Sequence, residues 1–106
     1  MDGPFPVEKA SEVVKEHRVG VFILSRDRRA FHFIGRADWD LRDSISETAR
    51  EGGFTQFWFA YAESPAEAFM DECLLWHRFL PPYSQDHPAV PPGLDCKCPS
   101  NGCRRR

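Results

Sequence analysis

The residues in this chain most suited to binding a metal ion are its four cysteines and two of its four histidines. Cys73 and His77 are four residues apart, so both would project from one face of a helix. The remaining donors follow in the C-terminal stretch, at His87, Cys96, Cys98 and Cys103. Structural zinc takes four nitrogen or sulfur ligands in a tetrahedral arrangement, so these residues offer enough donors for one such site.

Ordinary structural roles would also account for several of these residues. Cys73 on its own is typical of a small buried hydrophobic side chain. His77 is typical of a histidine near the C-terminal end of a helix dipole. Cys98 and Cys103 have four residues between them, at the loose end of the spacing in zinc sites, so spacing alone does not decide between these interpretations.

The composition of the chain changes after residue 80. Six of the nine prolines and three of the four cysteines fall in residues 81–106, where apolar periodicity is almost absent. Such a segment cannot hold itself in place by packing. We therefore predict a core domain at residues 1–80 and a tail at 81–106 that bound zinc pins to the core, since metal binding supplies about 10 kcal/mol or more in such sites.

The length of 106 residues predicts one domain, and 42% apolar residues indicate a globular chain. The formal net charge of −2 excludes a generally basic surface, so any phosphate-binding surface must be a local patch. No apolar run approaches the length of about 20 residues that spans a membrane. The start, Met1-Asp2-Gly3-Pro4, lacks the features of a signal peptide, so we expect a cytoplasmic protein with reduced cysteines.

Hydrophobic periodicity in the core predicts an α/β (α+β) domain with the order helix, strand, strand, helix, strand, helix. The expected sheet has three antiparallel strands, at residues 19–25, 30–35 and 54–61. The first helix is expected at 6–17, the second from Asp38 to the Gly52-Gly53 stop, and the third from a Ser64 cap to about Phe79. Short links between the first two strands indicate a hairpin.

Two strand motifs and the helix after them carry a family resemblance. They are Gly20-Val21-Phe22 and Phe33-Ile34-Gly35, followed by a helix that starts near Asp38. This arrangement resembles the core of the GIY-YIG endonuclease family over residues 18–80. A bacterial subgroup of that family is similar in further segments, namely Gly35-Arg36-Ala37-Asp38, Ser64-Pro65, Glu72-Cys73, Trp76-His77, and a tail with His87-Pro88 and Cys98-Pro99.

The resemblance implies phosphodiester hydrolysis with one divalent metal, Mg²⁺ or Mn²⁺, held by a glutamate that corresponds to Glu72. The two tyrosines that the family keeps on the paired strands correspond to Phe22 and Phe33. The arginine that stabilises developing negative charge corresponds to Ser44. Phenylalanine offers no hydroxyl and serine no positive charge, and the loss of one such stabiliser typically costs about 10²–10³ in rate.

Substitute groups for these positions are present nearby in the sequence. Arg36 directly follows the second motif, Arg42 lies two residues before Ser44, His32 precedes Phe33, and Tyr61 ends the third strand. Together these groups would not replace all of the catalytic side chains that the resemblance implies. If the chain is active, we expect Glu72, Arg36, Arg42 and His32 to carry the catalysis.

With the subgroup resemblance added to the tail cysteines, we favour zinc as a structural cofactor. The preferred ligands are Cys73, His87, Cys98 and Cys103, with His77 in place of His87 as the second choice. Cys96 is then a spare or alternative ligand.

Three functional classes fit these observations. The chain is a working metal-dependent endonuclease with substituted catalytic groups, a degenerate relative that binds nucleic acid without cutting it, or a structural or protein-interaction module. Family descent points to nucleic acid as the partner, with DNA expected, while Phe22, Phe33 and Ser44 remove chemistry. We therefore favour the second class, and we expect no membrane partner.

Overall fold

A computed structural model describes residues 1–80, 86–100 and 103 of the chain. Its elements are β1 (Asp2–Pro6), a 3-10 turn (Val7–Lys9), α1 (Ala10–Val13), β2 (Gly20–Ser25), β3 (Phe33–Ala37), α2 (Leu41–Gly52), β4 (Gln56–Tyr61) and α3 (Pro65–Phe79). Part of the predicted tail, at 81–85, 101–102 and 104–106, lies outside the described residues. Within those ranges, no helix is long and apolar enough to cross a membrane.

The sheet has four antiparallel strands in the order β1-β4-β2-β3, so the prediction of three strands was wrong. The added strand is β1, which pairs with β4 and packs Phe5 against Phe57 and Phe59, with ring centroids 5.6 and 6.1 Å apart. Pro4 and Pro6 make this segment unlike a typical strand in sequence. Proline is tolerated on an edge strand because one side of that strand needs no N–H donor.

The first helix is much shorter than the predicted 6–17. A 3-10 turn at Val7–Lys9 leads into the single helical turn Ala10–Val13, and Val14 is already extended, at φ −107° and ψ 126°. The chain then turns at His17, which has a φ of +56°. Ala10 and Val14 are buried at 1% exposure, so the apolar spacing reflects burial rather than a continuous helix.

The two motif strands form the predicted antiparallel hairpin, in which Phe22 faces Gly35 across the ladder. The motif glycines leave room that a side chain would fill. A Cβ on Gly20 would lie 2.3 Å from the Ala60 carbonyl oxygen, and one on Gly35 would lie 2.5 Å from the Phe22 ring. Gly20 therefore allows β4 to approach β2, and Gly35 leaves room on β3 for the ring of Phe22.

The two faces of the sheet are covered by different helices. Phe22 and Leu24 pack with the buried residues of α2, which are Leu41, Ile45 and Ala49. Val21 instead packs with Ala68 of α3. Because side chains alternate along a strand, odd and even positions of β2 serve two separate layers.

The caps of the two longer helices are set by local sequence. α2 begins after Asp40, whose carboxylate accepts a hydrogen bond from the Asp43 backbone N–H at 3.3 Å, so the expected cap at Asp38 was wrong. Asp38 is engaged by Arg36 instead. The Ser64 cap of α3 is confirmed, since its hydroxyl accepts from the Glu67 N–H at 3.1 Å.

The crowding at the motif glycines predicts an order of stability. Gly20→Ala should lower the free energy of unfolding by about 1–3 kcal/mol, because a backbone carbonyl cannot move away cheaply. Gly35→Ala should cost less, because its obstacles are the rings of Phe22 and Phe33. Urea denaturation of both variants measures the difference. A Gly20→Ala protein as stable as wild type would contradict this account of the hairpin.

Candidate metal centre and the Arg36–Glu72 pair

Four donors converge between the end of α3 and the tail. One ligand atom from each of His77, His87, Cys98 and Cys103 lies within 4.8 Å of the other three. Adjacent ligands of a tetrahedral zinc ion are separated by about 3.4–3.8 Å, given metal–ligand bonds of about 2.0–2.3 Å. The four residues are therefore close enough to hold a metal ion, and their nitrogen and sulfur donors are compatible with zinc.

His87 is prepared for coordination by its neighbour in sequence. Its Nδ1 lies 2.9 Å from the Pro88 carbonyl oxygen, which can only accept, so Nδ1 carries the proton. The lone pair is then on Nε2, which lies 3.3 Å from the Cys103 sulfur. Metal-bound histidines usually donate their second N–H to a carbonyl or carboxylate in this way, which fixes the ring orientation.

His77 contributes an unsatisfied polar atom to this region. Its Nε2 is buried and has no hydrogen-bond partner among the described residues. Its ring lies 5.2 Å from that of His87, and Trp76 packs edge-on against both histidines. A buried nitrogen without a partner is costly, and a bound metal ion would relieve that cost.

Cys98 is poised to act as a thiolate ligand. Its side chain is buried at 2% exposure. Burial by itself raises the pKa of this thiol, but hydrogen bonds, the strongest of them from the Ser100 backbone, outweigh that effect, and the pKa falls to about 6. Metals bind the thiolate form of cysteine, so the environment of Cys98 favours the form that a metal needs.

The structure thus brings together three of the four preferred ligands, His87, Cys98 and Cys103, with His77, which was expected only as a replacement for His87; Cys73 is not among the four. Cys73 is fully buried and packs against Phe69 and Cys98. Burial raises the pKa of the Cys73 thiol, which keeps it protonated. Cys96 lies at the edge of the same cluster. The i, i+4 spacing places Cys73 and His77 on one face of α3, and the donors of the tail lie near His77, at the end of the helix.

A second polar cluster lies beside the metal ligands, where Arg36 of β3 meets Glu72 of α3. The Arg36 Nη1 atom lies 3.0 Å from a Glu72 carboxylate oxygen, and its Nε lies 2.7 Å from Asp38. The same Nη1 donates to the Ala89 carbonyl of the tail at 2.7 Å. With side-chain exposures of 11% for Arg36 and 12% for Glu72, this ion pair is largely removed from water.

This arrangement gives Arg36 and Glu72 roles different from those expected of catalytic groups. The guanidinium occupies the carboxylate that the family resemblance assigns to a divalent metal. Burial raises the pKa of Glu72 to about 7, although the positive charge of Arg36 opposes that rise. The cluster links β3, α3 and the tail, and these contacts hold the three segments together.

The positions that the resemblance assigns to catalysis lie on two faces of the sheet in this chain. Phe22 and Phe33 stack with ring centroids 6.1 Å apart on the face of the sheet that α2 covers. Glu72 meets Arg36 on the face that α3 covers, since Arg36 and Phe33 are three positions apart on one strand. Ser44 lies on α2.

The suggested substitutes are engaged elsewhere. Arg42 donates to the Val14 carbonyl at 2.6 Å and to Glu16 at 3.0 Å. His32 lies in the hairpin loop, where its Nδ1 accepts from the Arg26 N–H at 3.2 Å. Four positions along an extended chain separate His32 from Arg36, which corresponds to about 13 Å. The Tyr61 hydroxyl accepts from the Lys15 N–H at 2.9 Å.

Comparison with models of known protein families gives no match to this chain. A search of curated proteins likewise finds no relative.

The geometry of the metal centre predicts which side chains are needed for binding. His77→Ala should weaken binding of one equivalent of added Zn²⁺ by at least 10-fold, because it removes one of four ligands. Cys73→Ala should still bind one equivalent, because Cys73 lies outside the four. A competing chelator and measurement of bound metal distinguish the two variants. Loss of zinc in Cys73→Ala with retention in His77→Ala would contradict this assignment.

The raised pKa of Glu72 predicts a pH dependence of stability. The folded chain binds a proton at Glu72 more tightly than the unfolded chain, so through this group wild-type stability falls as pH rises from about 4.5 to about 7. Glu72→Gln lacks this titration and should gain on wild type over that window, by up to about 3 kcal/mol. Urea denaturation of zinc-saturated proteins at both ends of the window measures the gain. A pH-independent difference would contradict the prediction.

Proposed function

We propose that this chain is a zinc-binding domain of the GIY-YIG type that binds nucleic acid, with DNA as the first candidate, and that has lost or weakened phosphodiester hydrolysis. The resemblance of the two strand motifs and of the tail supports the family. The four-donor cluster supports zinc, since two imidazoles and two thiolates are a frequent ligand set for structural zinc. The zinc ion would hold the tail against α3.

The observation that carries the loss of hydrolysis is the guanidinium of Arg36 on the carboxylate of Glu72, at 3.0 Å. A divalent metal ion at Glu72 would need to displace this buried cation, and two positive charges close together repel strongly in a site of low dielectric. The phenyl rings of Phe22 and Phe33 supply no hydroxyl, and they lie across the sheet from Glu72.

Support for a nucleic-acid partner comes from the family resemblance and from local charge. The net charge of −2 requires that phosphate contacts be concentrated on part of the surface. Arg28 and Arg29 are exposed in the loop between β2 and β3, and within the ranges that the structure describes neither side chain has an ion-pair partner. Such contacts would make binding salt-dependent without sequence preference.

The test combines binding and cleavage on one panel of branched, nicked, duplex and single-stranded DNAs with Mg²⁺ or Mn²⁺. Wild type is compared with Glu72→Ala and with Glu47→Ala, which removes the same charge from the exposed side of α2. We expect salt-sensitive binding and no cleavage in all three proteins. Circular dichroism and bound zinc verify that each is folded.

Two results would overturn the proposal in different ways. Cleavage that is lost in Glu72→Ala and kept in Glu47→Ala would identify an active metal-dependent endonuclease. Absence of binding to every nucleic acid at low salt would leave a structural or protein-interaction module.

A further inference from the structure

Trp39 has a position that neither the core nor the metal centre explains. Its side chain is 76% exposed, more than any other large hydrophobic residue in the described part of the chain. Tryptophan is usually buried against apolar neighbours, because its large surface gains much from leaving water. Tryptophan is enriched at interfaces, and the exposed Trp39 indole presents an aromatic face of that kind to solvent.

The backbone on both sides of Trp39 is held firmly. Asp38 before it is bonded to Arg36 at 2.7 Å. Asp40 after it caps α2 and lies 3.6 Å from the His17 imidazole. The indole is thus presented from a fixed backbone rather than from a loose loop, which lowers the entropy that ordering would cost on binding.

His17 packs beside the Trp39 indole and also contacts Asp40, the residue that follows Trp39. The two rings have centroids 6.2 Å apart and are tilted by 58°. His17 has a φ of +56°, a left-handed conformation that is uncommon for residues other than glycine. Its imidazole lies between Trp39 and Asp40, where it supports the indole from one side.

Two cations and a second aromatic ring lie at the same end of the sheet, where Gly20 pairs with both Ala37 and Tyr61. The Arg18 guanidinium lies 4.2 Å from the centre of the Tyr61 ring. The Arg18 carbonyl accepts from the Leu41 N–H at 2.8 Å, which ties it to the segment after Trp39. We call this surface the Trp39 edge, formed by Lys15, His17, Arg18, Trp39 and Tyr61.

The charges at the Trp39 edge leave its cations available to a ligand. Two nearby carboxylates already have cationic partners, in the pairs Asp38–Arg36 and Glu16–Arg42, and the carboxylate of Asp40 caps α2. Among the described residues, Lys15 and Arg18 form no ion pair. Because Asp43 and Glu63 are also exposed in adjoining segments, the surface is not strongly basic, so it suits a ligand bound by stacking with few phosphate contacts.

We propose that the Trp39 edge binds an unpaired nucleobase of single-stranded nucleic acid. The Trp39 indole stacks on the face of the base, and Lys15 and Arg18 contact the phosphates that flank it. Duplexes hide their base faces, so the site selects single strands and the unpaired parts of branched structures. The inference rests on the proposed function and names the form of nucleic acid that the domain takes.

The surroundings of Trp39 favour a base over a hydrophobic protein segment. The residues fixed around the indole are polar, namely His17, Asp38 and Asp40. The exposed apolar residues Met70 and Leu74 lie on α3, away from this loop in sequence. Aromatic rings beside cationic groups, as Trp39 and Tyr61 lie with Lys15 and Arg18, are the pattern of proteins that stack single-stranded bases.

The test measures affinity of the zinc-loaded protein for a labelled oligothymidine of about 15 nucleotides and for a duplex of equal length. Trp39→Ala should weaken single-strand binding by about 5- to 100-fold and leave duplex binding within about 2-fold, since stacking is lost. Trp39→Phe should recover part of the affinity. Leu74→Ala, which truncates an exposed apolar residue elsewhere, should bind as wild type does.

Salt dependence tests the two cations separately. The double variant Lys15→Ala/Arg18→Ala should lower the slope of log affinity against log salt by about 1.4 on single strands, since each lost phosphate contact removes about 0.7. A slope equal to that of wild type would exclude both residues as phosphate contacts.

The outcomes separate this inference from the proposed function. If wild type binds nucleic acid and Trp39→Ala binds the single strand equally well, the Trp39 edge is not the site, and the proposed function stands. If wild type binds neither single strand nor duplex, the proposed function fails, and the inference fails with it. If Trp39→Ala instead abolishes binding of a protein partner, the edge is a protein-binding surface and the inference is overturned.

Discussion

The buried guanidinium of Arg36 is the contact on which the rest of the structure depends. It bonds Asp38, Glu72 and the Ala89 carbonyl, and so it joins β3, α3 and the tail at one point. Removing a guanidinium from water is costly, and the cost is offset where several acceptors with good geometry surround it. Because Asp38 is held here, the next turn of chain is free to place Asp40 as the cap of α2.

The tail meets the core at two neighbouring places, through a hydrogen bond at one and through the four-donor cluster at the other. The carbonyl of Ala89 is bonded to Arg36, and two residues earlier His87 enters the four-donor cluster with His77 of α3. Within the described part of the tail, the buried apolar packing is centred on Cys98, which lies against Phe69 and Cys73. A metal ion is an effective fastening for such a chain, because a few strong bonds replace the hydrophobic area that prolines and polar residues cannot supply.

The elements that resemble a nuclease core contribute to core packing and to a buried ion pair in this chain. Phe22 and Phe33 fill the layer under α2, and Glu72 forms an ion pair with Arg36 on the other side of the sheet. A shared architecture does not by itself carry a shared activity. The most exposed large hydrophobic side chain among the described residues lies elsewhere, at Trp39.

Short-range pattern by itself determined a large part of this protein. The β2–β3 hairpin, strand β4, the inner face of α2, its stop at the left-handed Gly53, and the Ser64 cap of α3 all follow from residues within a few positions of each other. The cluster of tail cysteines with histidines also showed in the sequence that a metal ion could bind there.

Tertiary structure alone decided the contacts between distant segments. Strand β1 exists because Phe5 meets Phe57 and Phe59, which no periodicity around Gly3 and the prolines reveals. The sequence prediction preferred Cys73 to His77 as the ligand from α3, whereas the path of the tail brings its donors to His77. Arg36 could have faced solvent or a phosphate until folding brought Glu72 beside it. Local sequence fixes backbone propensity and alternation, whereas proximity across the chain depends on how the layers pack together.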